Sequence, residues 1–275
     1  MSEKLHFAVI GDPIAHSLSP AMQNAGLSAL GLDAEYSAIH VKAIELQDFA
    51  ARARKELRGF NITVPHKGAI IPFLDEISEG ARLAGSVNTV SVANGRLIGD
   101  STDGYGLETA LSESFGASVR GASFCFIGCG GAVQAIAFHF AAHGADRLLF
   151  LNRTVQTAQN IAERIQKEFP STRTFAASIA DFAAVSEFLG AAKVAIQGTS
   201  LGLKPDDPAP IPPDLLPDSI CLYETIYKKT KLLEFAQSRG IRCANGLSML
   251  LHQGAKSLSI WTERPAPVEA MRKAL

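Results

Sequence analysis

Apolar positions recur along this chain in two alternating rhythms. Short runs dense in β-branched and aromatic residues are followed by longer stretches whose apolar residues return at helical spacing. LHFAVIG reads as a strand, PAMQNAGLSALGL as a helix, AEYSAIHV as a strand, ELQDFAARARKEL as a helix and GFNITV as a strand. Pro65 cannot continue a ladder, so the chain should leave the sheet there, with Lys67 at or just past a strand end. Two short helices are expected next, then a hairpin, SVNTVSV-ANG-RLIGDS, turned by Asn94-Gly95. A helix over about 104–116 leads into ASFCFIGCGGAVQAIAFHFAAHGADRLLFLNRT, read as strand, glycine turn, helix and second strand. Further alternation runs through AKVAIQGTS and SICLYETIY to about residue 244, with the proline-rich KPDDPAPIPPDLLPDS as a surface loop. The closing helices, from GLSMLLHQGAKSLSIW onward, could cover either half. This alternation argues for an α/β architecture with largely parallel sheets.

Length and composition narrow the picture. The 275 residues suit two domains, each able to bury its own core. With 47% hydrophobic and 19% charged residues and a formal net charge of -1, the chain offers no electrostatic reason to bind nucleic acid or an acidic membrane. Small molecules become the expected ligands. Cys125, Cys129, Cys221 and Cys243 lack CxxC spacing, and a chain of this size needs no disulfide staples, so reduced thiols in a cytoplasm fit best. No signal-peptide run opens the sequence, no transmembrane stretch follows, and no metal-binding residue is expected.

Two places carry candidate chemistry. Ligands of α/β proteins bind beyond the carboxyl ends of strands, where Lys67 is a base, a phosphate contact or merely a solvated side chain. Gly128-Cys129-Gly130-Gly131-Ala132 follows a strand and opens a helix, the setting in which backbone amides approach a pyrophosphate. Val133 stands where a third glycine would complete GxGxxG, and a purely structural turn would look similar. The next strand ends in Asn152-Arg153-Thr154, where NAD-binding proteins place an acidic residue; arginine suits a 2′-phosphate, so NADP is favoured unless Arg153 is simply solvated.

Seven motifs in order resemble the shikimate dehydrogenase family almost end to end: GDPIAHSLSPAMQN at 11–24, NITVPHK at 61–67, AGSVNTV at 84–90, GDSTDGYG at 99–106, GCGGAVQA at 128–135, NRT at 152–154 and NGLSMLLHQGA at 245–255. The resemblance implies an N-terminal α/β substrate-binding domain over 1–103, completed by helices in 245–275, and a Rossmann-type NADP-binding domain over 104–244, with substrate in the cleft between them. It implies reversible NADP-dependent reduction of 3-dehydroshikimate to shikimate, in aromatic amino acid biosynthesis, by a monomer or homodimer. Lys67 and Asp103 match the catalytic pair. Ser17 and Ser19 match carboxylate-binding serines, Thr63, Asn88 and Gln253 ligands of ring hydroxyls, and Tyr227 a tyrosine near the carboxylate. Gly128, Gly130, Gly131, Ala132, Asn152, Arg153, Thr154 and Gly246 fall to the cofactor.

His66 and His16 adjoin matched residues without matching a catalytic position, and are read as supporting or structural. Cys129 is read as a small space-filling residue. Departures from the family pattern are Ser101 for asparagine, Gln197 for asparagine, Thr157 at a site often basic, and a shortened segment after Tyr227. They leave open a paralogue acting on quinate or an amino analogue, and a non-catalytic regulator of the same fold.

Overall fold

A computed structural model describes residues 4–275 as two compact units, one of residues 4–106 with Leu250–Leu275, the other of Leu107–Met249. The first unit begins with β1 (Leu5–Gly11), α1 (Ser19–Ala29), β2 (Ala34–His40), α2 (Leu46–Glu56) and β3 (Gly59–Ile62). It continues through β4 (Glu76–Ile77), α3 (Glu79–Ala84), β5 (Thr89–Ala93) and β6 (Arg96–Asp100) to α4 (Asp103–Phe115), whose later turns belong to the second unit. The six strands run in the order β2-β1-β3-β5-β6-β4. β1 pairs in parallel with β2 and β3, but β5 is antiparallel to β3 and β6, so this sheet is mixed where the alternation suggested mainly parallel pairing. The hairpin at Asn94-Gly95 accounts for the β5–β6 pair, because a tight turn can only join antiparallel strands.

Period-two alternation in β1 divides the core. Ala8 and Ile10 join Leu46, Phe49, Phe60, Ile62, Val90 and Leu97 on one face. Phe7 and Val9 join Met22, Leu27, Leu251, Leu258 and Trp261 on the other. The Trp261 indole stacks on Phe7 at 5.1 Å and donates to the Val90 carbonyl at 3.0 Å. Residues 250–275 are thereby built into the first unit's core.

The second unit contains β7 (Ser123–Ile127), α5 (Gly131–Ala142), β8 (Arg147–Asn152), α6 (Val155–Glu168), β9 (Arg173–Ser178), α7 (Phe182–Ala191), β10 (Val194–Gln197), β11 (Cys221–Glu224), α8 (Lys231–Ser238) and β12 (Cys243–Ala244). α9 (Leu247–Thr262) starts here and ends in the first unit, where α10 (Val268–Arg272) follows. All six strands are parallel, in the order β12-β11-β10-β7-β8-β9. This is the doubly wound Rossmann arrangement, with the topological switch between β7 and β10. Phe124, Phe126, Phe140 and Phe150 form a ring cluster on one face, while Cys125, Ile127, Leu149, Leu151 and Leu222 pack with α7 and α8 on the other.

Candidate active site

β3 ends at Ile62, yet Thr63 still donates its amide to Ile10, keeping Thr63 beside the carboxyl end of β1. His66 is fully buried, its Nε2 2.6 Å from the Val41 carbonyl, which makes it a pin for the segment that carries Lys67. The Lys67 carbonyl accepts from the Val87 amide at 2.9 Å, fixing that segment on its other side. Asp103 is the first residue of α4, and Lys67 Nζ donates to its Oδ2 at 2.5 Å. The aspartate side chain is 4% exposed and the lysine 15%, so the pair is largely withdrawn from water while the ammonium keeps an opening.

Asn88 braces the pair. Its Nδ2 lies 2.9 Å from Asp103 Oδ1, 3.0 Å from Thr102 Oγ1 and 3.2 Å from Gln253 Oε1, while its Oδ1 accepts from the Thr102 amide at 2.8 Å. A second buried layer supports Asn88. Asn61 donates to the Asn88 carbonyl at 3.0 Å and to Ser257 Oγ at 3.0 Å, and accepts from the Tyr36 hydroxyl at 2.7 Å. Thr89 and Ser257 complete that layer at 2.8 Å. Lys67, Asp103, Asn88 and Gln253 therefore form one connected cluster. Thr63 lies at the β1–β3 edge, half-buried, and Ser17 and Ser19 lie on the segment leaving β1, with the Ser19 amide donating to Ser17 Oγ at 3.2 Å. Tyr227, half-buried, belongs to the second unit, in the loop after β11. The Ser101 hydroxyl is buried with no partner among the described residues.

At the switch point Gly128 adopts φ +95, and a Cβ there would lie 2.6 Å from the Thr199 side chain, so both backbone and space require glycine. Gly130 caps α5 without a side-chain partner, Gly130 and Gly131 are exposed, and Ala132 is half-buried. The first amides of α5 are thus open to an anion. Val133 fits without a third glycine because the space is supplied from β10's side: a Cβ on Gly198 would meet Val133 Cγ2 at 2.3 Å. Burial pushes the Cys129 thiol up to about 12, which suits a packing role and not a nucleophile. Asn152 ends β8 and donates to the Thr154 carbonyl at 2.9 Å; Thr154 precedes α6, and Arg153 is exposed with no partner among the described residues. Gln197 ties the next loop, donating to the Leu201 carbonyl at 2.9 Å and accepting from the Thr199 amide at 2.5 Å. Gly246 is buried against the Thr225 carbonyl, where a Cβ would lie 2.2 Å away. The turn, the open helix terminus and the unpaired arginine fit a phosphorylated dinucleotide.

A lysine held by a carboxylate beside a polar cluster, on a chain that also builds a parallel dinucleotide-binding sheet, defines the class: an α/β oxidoreductase that uses a nicotinamide dinucleotide. The family profile described as shikimate dehydrogenase substrate binding domain matches residues 9–90, shikimate / quinate 5-dehydrogenase residues 110–200, and shikimate 5'-dehydrogenase C-terminal domain residues 246–275. A shikimate dehydrogenase (NADP(+)) of Desulfitobacterium hafniense is 41% identical over 274 residues, covering 98% of this chain and 97% of its own. The Listeria monocytogenes shikimate 5-dehydrogenase, solved with shikimate and NAD, superposes with TM-score 0.90 at 33% identity, covering 99% and 98% of the two chains. The Thermus thermophilus enzyme, solved with NADP(H) and shikimate, gives 0.86 at 33% identity, with 98% of each chain covered. The chain belongs to the shikimate dehydrogenase family.

Proposed function

We propose that this chain is an NADP-dependent oxidoreductase that reversibly reduces 3-dehydroshikimate to shikimate, a step toward aromatic amino acids. It acts in the cytoplasm on this small molecule, as a monomer or homodimer, without nucleic acid or membrane partners. Among the described residues no helix is long and apolar enough to cross a membrane.

The observation that carries the assignment is the Lys67–Asp103 contact at 2.5 Å, braced by Asn88. An ammonium has three N–H donors, and Asp103 takes one of them, leaving two for a substrate oxygen. During reduction negative charge develops on the carbonyl oxygen of the ring; Lys67 stabilises it and donates the proton that completes the hydroxyl. In oxidation Lys67 takes that proton back. Asp103 holds the lysine and the reacting hydroxyl in register, and Asn88 keeps the carboxylate from rotating. Thr63, Asn88 and Gln253 hold ring hydroxyls, while Ser17, Ser19 and Tyr227 hold the ring carboxylate. The nicotinamide dinucleotide supplies or accepts the hydride when bound. Gly128, Gly130, Gly131 and Ala132 take its pyrophosphate, Asn152, Arg153 and Thr154 its 2′-phosphate side, and Gly246 gives it close backbone approach.

A second reading, oxidation of quinate or broader use of NAD, is favoured by two observations. Thr157 puts no second cation beside Arg153, and the unpaired Ser101 hydroxyl sits two residues before Asp103. Lys67→Ala tests the assignment of the pair. Turnover should fall by about 10²–10⁴-fold with the far-UV circular dichroism unchanged; near-parental turnover would remove Lys67 from the chemistry.

A further inference from the structure

We propose that Glu108 of α4, with His139 of α5 and His143 at the C-cap of that helix, forms a binding site for a divalent transition-metal cation of the zinc class, distinct from the residues assigned to substrate and dinucleotide. The two histidines stand four apart, one in the last turn of α5 and the other capping it, which brings their rings together with 3.9 Å between centroids. Glu108 meets them from the neighbouring helix. Its Oε2 is 2.7 Å from His139 Nε2 and 2.6 Å from His143 Nδ1, and the three donor atoms lie within 4.8 Å of one another.

Two imidazole nitrogens and one carboxylate oxygen are a familiar three-ligand set for zinc, with a fourth position left to water. Imidazole donors select zinc, cobalt or nickel over magnesium or calcium, which prefer all-oxygen shells. The His143 side chain is 46% exposed, which gives a cation an entry path and water its place. A tetrahedral cation with bonds of about 2.1 Å holds its ligands about 3.4 Å apart. The two short contacts therefore open by about 0.7 Å on binding, within reach of side-chain torsions on fixed helices. Burial lowers the pKa of His139, although Glu108 pulls the other way, and the neutral imidazole is the form a metal requires. The cation replaces a shared hydrogen bond with a cross-link between α4 and α5, so binding stabilises the second unit.

The test uses the full chain, reduced and freed of metal by a chelator. Zinc chloride is titrated by calorimetry, and cobalt chloride by visible absorption, into the parent, Glu108→Gln, and the His139→Gln/His143→Gln double variant. One zinc per parent chain is expected, with affinity reduced at least about tenfold in Glu108→Gln and lost in the double variant. Zinc should raise the unfolding temperature of the parent and not of the double variant. His143→Gln alone, on a half-exposed side chain, serves if the double variant does not fold, and should also weaken binding at least about tenfold. Absence of a saturable zinc site, equal binding by the variants, or a cobalt–thiolate absorption band marking cysteine ligands would overturn the proposal.

Discussion

Glu224 ends β11 directly beside Gln197 of β10, and its carboxyl is fully buried. Thr230 donates to Oε1 at 2.7 Å, while Oε2 has no partner among the described residues. Desolvation raises the pKa of this carboxyl from 4.5 to about 7, with the Thr230 and Gln197 contacts pulling more weakly the other way. The native state therefore holds the proton more tightly than the unfolded chain does. Its contribution to stability is fully present below about pH 4.5, falls as the pH climbs toward 7, and is gone above that, a total of about 3 kcal/mol. Glu224→Gln keeps the shape and cannot ionise. In urea unfolding followed by far-UV circular dichroism, the variant should gain on the parent by about 3 kcal/mol between about pH 4 and pH 8, with an unchanged slope in denaturant. A gap that stays constant with pH, or moves in the parent's favour, would refute the argument that Glu224 is buried against its charge.

Two further substitutions probe the dinucleotide-binding unit. Arg153→Ala should raise KM for NADP about tenfold or more while leaving KM for NAD nearly unchanged, because the lost guanidinium contacts serve only the extra phosphate; equal effects on both cofactors would assign Arg153 elsewhere. Gly198→Ala drives a methyl to within 2.3 Å of Val133 Cγ2 and should cost about 1–3 kcal/mol of stability, mostly restored by adding Val133→Ala. Failure of that second change to rescue would break the link between Gly198 and the missing third glycine.

Patterns that lie within one segment were readable in the sequence, and partners brought from far along the chain were not. The strands of β1 to β3, the Asn94-Gly95 hairpin and the glycine turn show as period-two runs and turn residues. The antiparallel insertion of β5 was less evident, because alternation specifies faces and not neighbours. Lys67 was visible as a cation past a strand end, but its second layer was not. Asn61 reaches Ser257, 196 residues away; the only local sign was an amide in the apolar run GFNITV. Val133 looked like a defect in a glycine motif until β10 brought Gly198 against it. His139 and His143 carry a helical i,i+4 signal, yet Glu108 lies 31 residues before His139 and only the packing of α4 on α5 joins them.

The most direct measurement follows nicotinamide absorbance with purified protein offered shikimate or quinate, each with NADP or NAD. Efficient turnover with shikimate and NADP, exceeding every other pair, is the predicted result. Preference for quinate, preference for NAD, or no turnover with any pair would contradict it.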